Sequence, residues 1–70
     1  NEEGGYLKIL SQYIISINSF ESLQEERFKE TINFYLNFID KYPKSPFQSE
    51  AEKMYVESLN LLTKFAEQKN

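Results

Sequence analysis

The chain has 70 residues and a formal net charge of −3, from 8 Lys and Arg against 11 Asp and Glu, with no Cys, no His and no Trp. This excludes disulfide staples, an ordinary zinc site and any nucleophile pair built on His or Cys. The acidic balance also argues against a nucleic-acid binder, which normally carries a basic face. No apolar run approaches the roughly 20 residues of a membrane span. A chain of this length forms one small domain and buries only about 60% of its unfolded surface. The composition therefore predicts either very well packed helices or the excised end of a longer protein.

Residues 1–5 are polar, acidic and glycine-rich, and are expected to form a flexible N-terminal segment. Helical periodicity then begins and predicts a first helix over about 6–22. Leu7, Leu10, Ile14 and Ile17 share one stripe, and Tyr6, Ile9, Tyr13 and Phe20 widen it on one side. β-Branched residues are frequent here, but strict alternation is absent and the length favours helix.

The second helix is expected over about 23–42. Ser22 followed by Glu25 has the spacing of a capping box, in which Ser accepts an orphan amide and Glu returns to the cap. Phe28, Thr31, Ile32, Tyr35, Phe38, Ile39 and Tyr42 form one face, with Phe34 and Leu36 flanking it; Pro43 stops the helix. After a tight turn, Ser45 is expected to cap a third helix over about 46–67, with Pro46 in its first position and Gln48 completing a second capping box. Phe47, Ala51, Met54, Tyr55, Ser58, Leu61, Leu62 and Phe65 make its apolar face, and residues 68–70 are expected to fray.

The faces differ in width. The second helix is apolar around about half its circumference and needs neighbours on two sides. The third is one-sided, as expected of a helix that ends a stack. The first is broad, and its stripe exceeds what two partner helices cover. This predicts either a preceding unit in a longer chain or self-association through that helix.

One spacing is distinctive. Thr31, Tyr35, Phe38 and Pro43 resemble the second half of a tetratricopeptide repeat, where a small residue admits a close helix approach, an aromatic fills the gap and proline ends the hairpin. Residues 7–14 resemble a first half with Ser11 at its small position. Residues 47–54 resemble the opening of the next repeat, with Ala51 at the equivalent place. Thr31 stands where Ala is usual and Glu50 where Leu is usual; the competing reading is any amphipathic three-helix bundle. The expected fold class is all-α, a three-helix antiparallel hairpin repeat over 6–67 ending an α-solenoid.

Residues 26–55, and above all the run FIDKYPKSPFQSEAEK at 38–53, resemble the C-terminal part of the BamD family of outer-membrane assembly lipoproteins in its Bacteroidetes-like form. The resemblance implies a lipid-anchored protein on the periplasmic face of the outer membrane. It also implies a protein partner, the periplasmic domains of the barrel protein BamA or another assembly subunit. The lipid-bearing Cys of that family lies near its N-terminus, so the membrane would be reached only through an anchor that this chain lacks. No catalytic residue, cofactor or metal is expected. The acidic pair Glu26/Glu30 and the Glu50/Lys53 pair have ordinary surface spacings on helices, and Glu-x-x-His metal motifs are ruled out without His. Tyr13, Phe34 and Tyr55, at the edges of their stripes, are candidate partner contacts or core for a neighbouring repeat. The alternative function is a generic tetratricopeptide adaptor for a peptide or partner helix.

Overall fold

A computed structural model describes residues 1–68. Among them the chain forms three helices, α1 (Glu2–Ile17), α2 (Glu21–Lys41) and α3 (Gln48–Gln68), and no strand. The fold class is the expected one, all-α and built of helical hairpins. Contacts fix the directions. Gly5 lies against Phe38 and Ser16 against Thr31, so α1 and α2 are antiparallel. Tyr35 stacks on Tyr55 while Phe65 reaches the start of α2, so α2 and α3 are antiparallel too. Tyr6 meets Phe47 at the beginning of both outer helices, which therefore run parallel. The extents of 38 × 18 × 15 Å leave room for one helix length plus a turn, since a 21-residue helix spans about 31 Å.

The N-terminal segment differs from expectation. Residues 2–5 are helical rather than flexible. Asn1 is the N-cap, its Oδ1 accepting from the Gly4 amide at 2.6 Å, and Glu2 and Glu3 sit in the first turn where the helix dipole favours them. Gly5 costs helix propensity, but a side chain there would place Cβ 2.9 Å from Phe38 Cδ1. Close packing on α2 thus requires the glycine, and tertiary contact overrides the local preference.

The first helix also stops earlier than its periodicity suggests. Its last carbonyls are taken by side chains. Asn18 Nδ2 donates to Ile14 O at 3.0 Å and Ser19 Oγ to Ile15 O at 2.6 Å, while Gln24 Nε2 reaches back from α2 to Ser16 O and Ile17 O, both at 3.2 Å. These bonds satisfy the orphan groups of the end and leave residues 18–20 as the connection. Consequently α2 begins at Glu21 with Phe20 as its N-cap, which offers no side-chain acceptor. The capping box predicted at Ser22 is not formed: Ser22 already lies inside the first turn and is exposed.

The second connection, residues 42–47, carries both prolines. Tyr42 closes α2 through its amide to Phe38 O at 2.8 Å. Ser45 is buried and its hydroxyl accepts from the Phe47 amide at 3.0 Å, so Pro46 and Phe47 form a turn and α3 starts at Gln48 rather than at Pro46. At its other end α3 runs to Gln68; the rest of the segment expected to fray, residues 69 and 70, lies outside the described residues.

Ile9, Tyr35, Phe38, Ala51 and Met54 form the hydrophobic core, one or two from each helix. Beside it, the middle of the bundle is packed with small polar residues. Ser16, Thr31 and Ser58 are fully buried, with Ser16 Oγ and Thr31 Oγ1 3.2 Å apart. Ser16 Oγ also donates to Gln12 O at 2.7 Å and Ser58 Oγ to Met54 O at 2.8 Å, so these hydroxyls are satisfied within their own helices. The close approach of α1 and α2 runs through Gly5 and Ser16. Ser11, predicted as the small position, is exposed.

That approach sets the rotation of α1. Ile9 and Ser16 point inward, whereas Leu7, Ile14 and Ile17, the centre of the predicted stripe, are about half exposed at 47%, 48% and 47%. The predicted faces of α2 and α3 are the ones buried, and Leu36 and Val56 remain outside.

Candidate functional site

Of the five residues singled out by spacing, four are inside. Thr31, Tyr35, Phe38 and Ala51 are buried, and Pro43 is exposed in the turn that follows α2. Tyr35 stacks on Tyr55 at 4.4 Å between centroids and 19° between planes, and Phe38 tilts onto Tyr42 at 5.5 Å. Ala51 is wholly inaccessible in the core it shares with Tyr35 and Phe38 of α2.

The three candidate partner contacts do not form one surface. Tyr13 sits on the α1–α3 seam, edge-on to Phe28 at 6.2 Å and beside Glu50, Met54 and Glu57. Tyr55 closes the α2–α3 seam through its stack on Tyr35. Phe34 lies on the α1–α2 seam, with Lys8 Nζ 4.4 Å above its ring centre. All three pack against the core and are half-buried, so each seals a different seam. Burial, and secondarily the nearby Glu57 carboxylate, raises the pKa of Tyr13 above the ordinary tyrosine value. Burial also raises that of Tyr35, with smaller contributions from Glu52 and Tyr55.

Two other features dominate the surface. The first is the outer side of α1. Leu7, Ile14 and Ile17 line it, Leu10 continues it inward, and Phe20 at its end is 82% exposed. No charged residue occurs between Lys8 and Glu21, so the stripe has no ionic rim along most of its length. The outer sides of α2 and α3 are charged by contrast, with ion pairs Glu25–Lys29 and Glu50–Lys53, each at 3.3 Å. Glu26 and Glu30 are exposed on α2. Among the described residues no cluster of three or more acidic side chains could hold a metal ion.

The second feature is a groove of about 320 Å³ between the start of α1 and the end of α2. Gly4, Gly5 and Lys8 form one wall, and Phe34, Asn37 and Lys41 form the other. Sequence reasoning missed it because Gly4 and Gly5 resemble a frayed end. The available signal was the i, i+3, i+7 line of Phe34, Asn37 and Lys41, which places an aromatic, an amide and an ammonium on one side of α2.

No protein-family model, curated protein or solved structure matches this chain. Among the described residues no helix is long and apolar enough to cross a membrane.

Proposed function

We propose that the chain is a non-catalytic protein-interaction module, and specifically the C-terminal part of an outer-membrane β-barrel assembly lipoprotein of the BamD type, in which it contacts the periplasmic domains of BamA. The module then stands on the periplasmic face of the outer membrane, held by a lipid anchor borne elsewhere in the full-length protein. The observation that carries the interaction reading is the outer side of α1. Leu7, Ile14, Ile17 and Phe20 leave a row of large apolar side chains open on a helix that carries no charge after Lys8, and contiguous exposed apolar surface on a small domain marks a contact site. The assembly reading is supported by the run at residues 38–53, whose Phe38 and Ala51 lie in the core while Pro43 and Pro46 shape the turn between α2 and α3.

Purified BamA periplasmic domains provide the test. The 70-residue chain should bind them, and Ile14→Glu should weaken binding at least about tenfold, equivalent to about 1.4 kcal/mol. Val56→Glu, on the outer side of α3, should leave binding unchanged. Absence of binding by the unmodified chain would refute the assembly reading, and equal effects of the two variants would refute the assignment of the contact to α1.

A further inference from the structure

We propose that the groove between the start of α1 and the end of α2 binds an acidic peptide segment, a carboxylate side chain accompanied by an apolar one. Charge makes the first part of the case. The chain carries −3 overall, yet the groove is lined by Lys8 and Lys41 and by no Asp or Glu. Asp40 precedes Lys41 in sequence but does not line it. Among the described residues neither lysine has a carboxylate within ion-pairing distance; Lys44 and Lys64 are unpaired too, but only Lys8 and Lys41 line this groove. Two unpaired ammonium groups on facing helices favour an anion between them.

The walls make the second part. Lys8 Nζ is held 4.4 Å over the Phe34 ring, a cation–π contact that orients the charge at the mouth of the groove. Asn37, one turn before Lys41, adds an amide that can donate to a carboxylate oxygen. Phe34 and Tyr42 supply aromatic surface for the apolar neighbour. Gly4 and Gly5 complete the α1 wall, where the place a Cβ would take is already occupied by Phe38 at Gly5 and by the Asn1 side chain at Gly4. The volume of about 320 Å³ lies at the small end of ligand sites. It suits one or two side chains of a peptide rather than a large cofactor.

This inference is independent of the assembly reading, because Lys8 and Lys41 lie outside the Leu7–Ile14–Ile17 row. The test is a titration of the 15N-labelled chain with a short blocked peptide containing glutamate next to phenylalanine. Saturable shifts are expected at the amides of Gly4, Gly5, Lys8, Asn37 and Lys41. Both lysines are exposed, so Lys8→Gln combined with Lys41→Gln should preserve the helical circular dichroism. The double variant should nevertheless weaken binding at least about tenfold, and raising salt from about 0.05 M to about 0.5 M should weaken it too. Asn37→Asp should do the same by placing a carboxylate in the groove. The proposal is overturned by an absence of shifts at millimolar peptide, by equal shifts with a lysine-for-glutamate peptide, or by unchanged affinity in the folded double variant. Equal shifts with acetate or inorganic phosphate at the same concentration would reduce the groove to a simple anion site and also overturn it.

Discussion

Ala51 has no accessible surface and belongs to the same core as Tyr35 and Phe38 across the α2–α3 seam. Ala51→Leu adds methylenes where none fit and should destabilise the fold by about 1–3 kcal/mol, read from urea unfolding. Tyr35 responds to pH instead. Its phenol keeps its proton more tightly in the fold, chiefly because of burial, then because of Glu52 and Tyr55. The unfolded chain loses that proton near the ordinary value of 10.0. Stability linked to Tyr35 is therefore fully present below about pH 10 and is lost as pH rises through the raised folded value. Tyr35→Phe should flatten the alkaline decline in melting temperature while leaving the neutral plateau nearly intact. An unchanged alkaline slope would assign the decline to other groups.

Helix ends show how far local sequence carries. Phe20 has φ −58° and ψ 146°, the extended geometry an N-cap requires, but no acceptor. Phe20→Asp should place a carboxylate at the amides of α2, stabilise the protein by about 0.5–2 kcal/mol and remove an exposed ring. Ser22→Ala should be nearly neutral, the opposite of what the Ser22/Glu25 spacing alone suggests, and thermal melts of the two variants compare them directly. The existence of the three helices and the buried faces of α2 and α3 were legible, because apolar residues there recur at helical spacing without interruption. The boundaries of α1 were not. Its end is decided by Gln24 reaching from the next helix to Ser16 O and Ile17 O, and its start by Phe38 filling the space at Gly5. The facing of α1 was hidden for a related reason. Ser16 turns inward to meet the Thr31 hydroxyl, and a serine among the apolar residues of α1 carried no weight in its periodicity. Tyr13, Phe34 and Tyr55 were legible as the edges of their stripes, but not the separate seams that each of them lines.

At the scale of the molecule, α2 packs against both outer helices and is largely satisfied, while α1 leaves its apolar side open. The isolated chain is expected to associate through that side. Sedimentation should show an average mass that rises with concentration, and Ile14→Glu should return it toward the monomer while α3 keeps its helicity. A monomer that melts cooperatively at every concentration would show that the three helices suffice for one another.

The order of packing has a kinetic side. Connections of three and six residues join each helix to the one it packs against most, so most of the interior forms between sequence neighbours. Chains dominated by such nearby pairings cross their folding barrier in microseconds to milliseconds. Only the α1–α3 contact, including the Tyr6–Phe47 stack at 4.9 Å, must close across the whole intervening helix. In temperature-jump relaxation, truncating Phe28 in the shared middle helix should slow folding. Truncating Tyr6 should instead hasten unfolding, because the last seam to close is the first to open.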